Sequence, residues 1–307
     1  MIMKRKCLLA GFGSIGMRHA ELLTDMGFEV VVASTRKNNF YESFDSLEKA
    51  LSEYRFDYAV ICVPTSEHYG AVCELAEYGF KGPVLVEKPL FEKTGYTIPE
   101  SMRIFVGYNL RFHPVMRELH ELVHGRRLYS MHVYCGQYLP WWRKNRDYRK
   151  TYSASAAAGG GVLRDLSHEL DYICWLSGSW KKLAAKGGHL SCLEIDSDDV
   201  FCILMETENC PAVTLQVNYL DRNVRREILV NGENFSARAD LIAGVLEVNG
   251  KEQIHNIRKN FTYIEQHKDI LSGSACIACT VKQGSEVLEL IDAAEKASSK
   301  RIWVKRN

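Results

Sequence analysis

A glycine-rich turn set between a strand-like run and a helix-like run is the feature that most constrains this chain. Gly11-Phe12-Gly13-Ser14-Ile15-Gly16 follows the apolar stretch Cys7-Leu8-Leu9-Ala10 and precedes Met17-Arg18-His19-Ala20-Glu21-Leu22-Leu23. Strand, glycine turn and helix in that order form a dinucleotide-binding fingerprint. Gly11 permits the tight turn, Gly13 lets the backbone approach a pyrophosphate, and Gly16 lets the helix pack closely on the strand. The first N–H groups of the helix have no partners within it and suit phosphate oxygens. Glycines also close ordinary turns; the flanks and the early position favour the nucleotide here. On this reading Gly11, Phe12, Gly13, Ser14, Ile15, Gly16 and Arg18 belong to a cofactor site.

The pattern that follows extends this beginning into a domain. Residues 1–110 alternate strand and helix, as a parallel sheet requires. Strands are expected at Phe28–Ala33, Tyr58–Val63, Pro83–Val86 and Ile104–Tyr108, with helices over Phe44–Tyr54 and Tyr69–Tyr78. Beyond residue 110 the character changes. A helix is expected over His113–His124, a strand over Leu128–Leu139, and one helix within Gly159–Leu176 after a small-residue loop. Strand-like runs then recur at Asp199–Met205, Ala212–Tyr219, Glu227–Val230, Phe235–Ala239 and Val245–Val248, with Asn231-Gly232 and Asn249-Gly250 as hairpin signals. A helix over Ser285–Ser298 and a strand over Arg301–Val304 close the chain. The reading is α/β: an N-terminal doubly wound parallel sheet of the Rossmann type in 1–110, and in 111–307 a second α/β domain with a mostly antiparallel sheet. Length agrees, because single cores stop growing at about 250–300 residues and the chain has 307. The final helix and strand are free to pack back on the first domain.

Composition excludes several classes. A net charge of +1 gives no electrostatic case for a nucleic acid or a membrane surface as partner. No apolar run approaches the roughly 20 residues of a membrane span. Met1-Ile2-Met3-Lys4-Arg5-Lys6 imitates the start of a signal peptide, but the glycine turn interrupts the apolar stretch and no small-residue cleavage site follows. The ten cysteines show no disulfide spacing, and Cys7, Cys62, Cys174 and Cys202 fall in apolar runs. Cys276-Ile277-Ala278-Cys279 lacks the second pair that a metal site wants, so no metal is expected. The simplest expectation is a reducing cytoplasm.

In an open parallel sheet ligands sit at the carboxyl ends of the strands. Three such ends carry polar or reactive residues: Val63-Pro64-Thr65-Ser66-Glu67-His68, Glu87-Lys88-Pro89, and Asn109-Leu110-Arg111-Phe112. An isolated lysine is most simply a solvated one; Lys88, between a strand end and a proline on the ligand edge, is instead expected to be catalytic. Val63, Pro64, Thr65, His68, Glu87 and Lys88 complete the expected cofactor site, and Arg111 is expected to meet substrate. A second cluster reads Gly159-Gly160-Gly161-Val162-Leu163-Arg164-Asp165-Leu166-Ser167-His168-Glu169-Leu170-Asp171. As one helix it sets Asp165 and Asp171 three residues either side of His168, so that a carboxylate can orient the imidazole. The alternative is a helix surface bearing ordinary charges.

The second strand leads into Ser34-Thr35-Arg36-Lys37, with no Asp or Glu where an NAD-preferring domain would receive the ribose hydroxyls. Ser34, Thr35 and Arg36 suit a phosphate instead, which favours NADP over NAD. Pro140-Trp141-Trp142-Arg143-Lys144-Asn145-Arg146-Asp147-Tyr148-Arg149-Lys150-Thr151-Tyr152 interleaves aromatic and basic residues. Aromatic faces suit sugar rings or bases, and cations suit phosphate or carboxylate. Trp141, Trp142, Arg143, Tyr148, Arg149 and Tyr152 are therefore expected on the substrate side, with an anionic sugar (a nucleotide sugar, a sugar acid or a sugar phosphate) as ligand. The plainer alternative is a surface loop with two buried tryptophans.

Taken together, the chain resembles the glucose-fructose oxidoreductase / inositol dehydrogenase (Gfo/Idh/MocA) family. The resemblance rests on Gly11–Gly16 with Arg18-His19, Pro64-Thr65 with His68, Glu87-Lys88-Pro89, Tyr108 with Arg111-Phe112-His113-Pro114, and Gly159 to Gly178, in the family's order. It implies a nicotinamide-binding first domain, a second domain whose open sheet serves homo-oligomerisation as a dimer or tetramer, and hydride transfer at a sugar or cyclitol carbon. Lys88 resembles the lysine of the family's Glu-Lys-Pro motif, and Asp165 and His168 its helix aspartate and histidine. The family more often places that histidine four residues after the aspartate; here the spacing is three. The expected mechanism has His168 exchange the hydroxyl proton, Lys88 stabilise the developing alkoxide and lower the proton affinity of His168, and Asp165 orient the imidazole. Two alternatives share the fold: a cofactor-sensing regulatory or scaffold protein, in which loss of Lys88 or His168 would be expected, and a reductase of a non-sugar such as a tetrapyrrole.

Overall fold

The computed structural model describes residues 4–100, 102–143 and 145–306. In chain order the elements are β1 (Lys6–Ala10), α1 (Ser14–Asp25), β2 (Glu29–Ala33), β3 (Glu42–Phe44), α2 (Leu47–Glu53), β4 (Tyr58–Ile61), α3 (His68–Glu77), β5 (Pro83–Val86) and β6 (Arg103–Val106). Next come α4 (Pro114–Val123), β7 (Leu128–Gly136), α5 (Val162–Asp165), α6 (His168–Ser177), β8 (Trp180–Gly188), β9 (Val200–Thr207) and β10 (Val213–Asn218). The remainder is β11 (Arg225–Gly232), β12 (Phe235–Asp240), β13 (Val245–Val248), β14 (Lys251–Ile254), α7 (Phe261–Leu271), β15 (Cys279–Thr280), α8 (Val281–Lys300) and β16 (Val304–Lys305). No helix among the described residues is long and apolar enough to cross a membrane.

The chain divides into two compact units, Met1–Tyr108 with Tyr263–Ser285 and Asn109–Thr262 with Glu286–Asn307. The sequence reading put one boundary at 110. The chain instead returns to the first unit late, through α7, β15 and the first residues of α8, while the last strand belongs to the second unit.

In the first unit a seven-stranded sheet runs β15-β6-β5-β4-β1-β2-β3. Strands β1 to β6 pair in parallel, and β15 joins β6 antiparallel at the edge. Cys7–Ala10, Val30–Ala33, Tyr58–Ile61 and Pro83–Val86 are buried throughout. A parallel sheet is covered on both faces, which is why these strands are continuous apolar runs. The chain passes from β1 outward through β2 and β3, then returns to β4 on the other side of β1. The strand order therefore reverses between β1 and β4, and the crevice for a ligand lies at their carboxyl ends.

The second unit is built on a nine-stranded sheet, β14-β13-β12-β11-β7-β10-β9-β8-β16. Among the described residues only β7 and β10 pair in parallel, and every other pairing in this sheet is antiparallel. Helix α4 packs on β12 and β13, and α6 on β7. Val115, Met116, Leu119 and Val123 form the buried stripe of α4, where the helical period puts them on one side. Across the sheet, Leu204, Thr214, His132 and Leu229 sit in register on four adjacent strands and are all exposed, so one face of this sheet is open.

Several elements differ from the sequence reading. The segment Phe44–Tyr54 opens with strand β3, and helix α2 starts only at Leu47, where the Ser46 hydroxyl accepts the Lys49 N–H. The expected single helix in Gly159–Leu176 is two helices. Leu166 (φ −100°, ψ 32°) leaves helical geometry between α5 and α6, with no glycine or proline to signal the break. The Asn231-Gly232 signal is displaced: the two-residue turn is Glu233-Asn234, with Asn234 at φ 64°. Gly232 stays in the strand, paired with Phe235, and the Phe235 ring occupies the space a side chain there would need. The Asn249-Gly250 turn forms where expected, both residues having positive φ between paired Val248 and Lys251.

His113, ahead of α4, lies buried in the second unit. Burial, opposed by the Leu241 carbonyl and reinforced by the charges of His255 and Arg226, lowers its pKa to about 4 from the ordinary 6.5. The native state thus binds fewer protons than the unfolded chain between these values. Its stability is full above pH 6.5 and falls as pH drops toward 4. Replacing His113 with Phe should remove about 2–3 kcal/mol of that acid sensitivity, read as a flatter pH dependence of the denaturation midpoint; an unchanged slope contradicts it.

Candidate active site

The carboxyl ends of β1 and β4 meet through glycine. Gly11 has φ 91°, and a Cβ there would stand 2.7 Å from the Cys62–Val63 peptide. A Cβ on Gly16 would overlap the Gly11 carbonyl oxygen. Helix α1 can therefore start directly on the turn, with Gly13 as its N-cap and no side chain capping it. Its first N–H groups are left to an outside acceptor. At Gly13 the space is open: the nearest atom to a Cβ there is Arg36 Nη1, at 3.9 Å. Arg36 follows β2 in a turn held by its own N–H donating to the Ser34 hydroxyl oxygen at 3.1 Å. Thr35 and Arg36 are exposed. Open space at a helix N-terminus, a glycine floor and a guanidinium alongside fit a dinucleotide.

Along the same edge stand the segments after β4 and β5. Thr65 to Glu67 form a short turn, and Pro64 is exposed. His68 is buried, its Nε2 3.0 Å from the Val63 carbonyl oxygen and its Nδ1 3.1 Å from those of Pro89 and Leu90. Burial outweighs those carbonyls and lowers its proton affinity. The His68 ring is thus spent on tying two loops of the edge together, which corrects the expectation that it offers itself to the cofactor. Glu87 lies between strand β5 and the cis Lys88–Pro89 bond. Its Oε1 is 3.0 Å from His19 Nε2, and its Oε2 accepts the Lys88 N–H at 3.1 Å. Burial raises the Glu87 carboxyl, but the hydrogen bonds from His19 and from the Lys88 N–H, together with the Lys88 charge, prevail and hold it below its ordinary value. Lys88 is half-buried. Arg18 donates to the Tyr263 hydroxyl at 3.2 Å and lies over that ring.

In the second unit the residues sort differently from expectation. Asp165 ends α5 and His168 begins α6, so they do not share a helix face. Asp165 Oδ2 accepts the Tyr219 hydroxyl at 2.6 Å. Burial, together with the Asp165 charge, keeps that phenol protonated well above its ordinary range. Asp171 is not available to His168: both its oxygens accept from Arg111, at 2.9 and 2.6 Å, and both residues are 2% exposed. Arg111 is therefore an interior cation with a bidentate partner rather than an arm toward substrate. Glu169 is likewise taken by Arg226 at 2.7 Å. Asp165 and His168 remain half-buried.

The aromatic–basic loop is anchored by some of its members and open at others. Trp142 meets the Tyr219 ring edge-on at 5.1 Å and donates to the Gln137 carbonyl at 3.2 Å. Tyr152 donates to the Gly159 carbonyl at 2.5 Å, and the Tyr148 hydroxyl accepts the Glu194 N–H at 3.3 Å. Arg149 is held by Asp147 at 2.9 and 3.0 Å and by Glu194 at 3.2 Å. These contacts make Tyr148, Arg149 and Tyr152 part of the frame of the loop. Trp141 is 60% exposed, against the alternative of two buried tryptophans. Pro140, Trp141, Arg143, Asn145 and Arg146 line an open cavity of about 400 Å³. Lys144 falls outside the described residues.

With this geometry the comparisons are direct. A family model described as "Oxidoreductase family, NAD-binding Rossmann fold" matches residues 5–100, and the GFO/IDH/MocA C-terminal domain matches residues 116–238. The chain is thus of the nicotinamide-dependent Rossmann oxidoreductase class. It belongs to the GFO/IDH/MocA family. An uncharacterised oxidoreductase of Synechocystis sp. is 27% identical over 160 residues, which span 49% of this chain and 42% of that protein. Three solved structures share the fold. Levoglucosan dehydrogenase, in complex with NADH and levoglucosan, superposes with a TM-score of 0.84 at 17% identity, covering 99% of this chain and 100% of that one. GenD2 from gentamicin A biosynthesis, in complex with NAD, gives 0.81 at 21%, with 100% and 97% covered. The WlbA dehydrogenase of Bordetella pertussis, in complex with NADH and UDP-GlcNAcA, gives 0.79 at 18%, with 99% of both chains covered.

Sequence reasoning missed α7, which brings Tyr263 and His267 into the first unit. Phe261, Ile264 and Ile270 carried a helical period there, masked by the intervening polar Gln266 and His267. It also missed Tyr219, recognised as part of a strand but not as the partner of Asp165. Replacing Gly16 with Ala drives a methyl group into the Gly11 carbonyl and lifts α1 from the turn. Affinity for nicotinamide dinucleotides should fall by about tenfold or more, a strain of 1–3 kcal/mol, with the circular dichroism nearly unchanged. Equal affinity measured by nicotinamide fluorescence would remove the turn from the site.

Proposed function

We propose that this chain is a dehydrogenase or reductase acting on a CH–OH carbon of a sugar or sugar derivative that carries negative charge, with NADP favoured over NAD. The observation that carries this reading is the glycine floor of Gly11 and Gly16 at the β1/β4 switch point, with Lys88 two strands along on the same edge. Bound there, the nicotinamide supplies the two-electron acceptor or donor.

The chain's own residues have distinct tasks in this proposal. The N–H groups of Ser14 and Ile15, at the start of α1, receive the pyrophosphate. Ser34 Oγ accepts the Arg36 N–H and so keeps its own hydroxyl proton to donate. With Arg36 beside Gly13 and no carboxylate from Ser34 to Lys37, the turn suits a 2′-phosphate better than bare ribose hydroxyls. Lys88 stabilises negative charge developing on the substrate oxygen. His168 exchanges the hydroxyl proton, the role an imidazole serves near neutral pH. Asp165, held by Tyr219, supplies a carboxylate fixed in place. Trp141, Arg143 and Arg146 offer an aromatic face and two exposed cations to an anionic sugar. Homo-oligomerisation, as a dimer or tetramer, uses the open face around Leu204 and Leu229.

Two assays test this. Replacing Lys88 with Met should lower kcat by about a thousandfold while dinucleotide affinity stays within a few fold; normal turnover by that variant would remove Lys88 from the chemistry. In a panel of nucleotide sugars, sugar acids, sugar phosphates and neutral sugars, an anionic member should give the highest kcat/KM. A neutral sugar outperforming every anionic one would overturn the substrate class.

A further inference from the structure

Behind Glu87 lies a row of polar groups that the proposed chemistry does not use. Tyr58 of β4, His267 of α7 and His19 of α1 are fully buried. The Tyr58 hydroxyl is 2.9 Å from His267 Nδ1, His267 Nε2 is 2.8 Å from His19 Nδ1, and His19 Nε2 is 3.0 Å from Glu87 Oε1. The rings stand nearly perpendicular, His19 to His267 at 83° and Tyr58 to His267 at 87°, so each presents a nitrogen or hydroxyl edge to the next.

Counting donors fixes the direction of the row. A Tyr58 proton pointed away from His267 would be a buried donor left unsatisfied. His267 Nδ1 therefore accepts it, and the ring carries its proton on Nε2. His19 Nδ1 accepts that proton's hydrogen bond, and His19 Nε2–H donates to the Glu87 carboxylate. Burial holds the proton affinity of His267 well below the ordinary range, and burial keeps the Tyr58 phenol protonated, so both ends agree.

We infer that His267 and His19 are positioning residues for Lys88: the one-way row from Tyr58 ends on Glu87 Oε1 and so holds Oε2 on the Lys88 amide. This rests on the proposed role of Lys88. It assigns the late-sequence helix α7 a part in shaping the edge, and it links α1, whose N-terminus faces the phosphates, to the lysine loop. The titratable groups around Glu87 are His19 from α1, Cys62 after β4, Tyr58 within β4, His68 of α3, Tyr263 of α7 and the neighbouring Lys88, with His267 of α7 reaching it through His19. With the row intact the Glu87 carboxyl lies below its ordinary value. Its ionised form is present above that value and is lost as pH falls through it. Breaking the row leaves burial dominant and moves the loss to higher pH.

The test uses the whole protein labelled with ¹³C at glutamate carboxyl carbons and ¹⁵N in histidine, with Glu87 assigned through Glu87→Gln. In the parent, His19 and His267 should both show the Nε2–H tautomer. His267→Leu should raise the Glu87 midpoint by about one pH unit, the size of a charge-assisted hydrogen bond, and Tyr58→Phe should move it less in the same direction. His267→Gln, which can accept from Tyr58 and donate to His19, should restore it. With the panel sugar turned over fastest, His267→Leu should lower plateau kcat by about tenfold and move its acid limb up with Glu87, leaving NADPH affinity within about twofold. If His267→Leu does not fold, Tyr58→Phe decides. An unmoved Glu87 midpoint and kcat in the folded variants, or an Nδ1–H tautomer at His267, overturns the inference. Full turnover by Lys88→Met would instead refute the role of Lys88 while leaving the effect of the row on Glu87 standing.

Discussion

The start of α1 against the Gly11 carbonyl is the contact on which the ligand edge of the first unit depends. Any side chain at Gly16 would separate the helix from the turn, and any at Gly11 would collide with the Cys62–Val63 peptide. With both absent, the ends of β1 and β4 close on each other and the helix N-terminus opens onto the crevice. That geometry gives the backbone an anion site before any side chain is considered. Arg36, the Thr65 turn and the Glu87-Lys88 loop are then arranged around a floor already fixed by backbone contact.

The second unit is governed by where its charges go. Helix α6 carries Glu169 and Asp171 in its first turn, and each is matched by an arginine, Glu169 by the half-buried Arg226 and Asp171 by the buried Arg111. Buried pairs of this kind are strongly destabilising to break from one side, so these four residues are committed to the fold. What remains half-buried at the α5–α6 junction is Asp165 and His168, with Tyr219 holding the first. The two arginine pairs therefore mark Glu169 and Asp171 as structural charges, a sorting that residue type alone does not make.

Much of the first unit could be read from the sequence, because its parallel strands are continuous apolar runs and its glycines are placed by close contact. The lysine loop was found for the same reason: it follows such a run. The second unit was less legible. Strand β8 is rich in lysine, alanine and glycine, and forms because β9 and β16 pair with it from either side. Strand β14 is exposed throughout and shows no alternation. The break between α5 and α6 has no local signal, and it removed the shared face expected of Asp165 and His168. Pairing between distant residues was likewise invisible: Arg111 with Asp171, Tyr219 with Asp165, and His267 with His19 are separated by 60, 54 and 248 positions. The same distance in sequence hid the return of α7 to the first unit.

The most direct measurement on the nucleotide crevice is a titration of the purified protein with NADPH and with NADH, each followed by nicotinamide fluorescence. Saturable binding of both, tighter for NADPH, is the predicted result and would place a phosphate at Ser34, Thr35 and Arg36. Tighter binding of NADH would overturn the cofactor preference alone. Failure of either to bind would contradict the central claim.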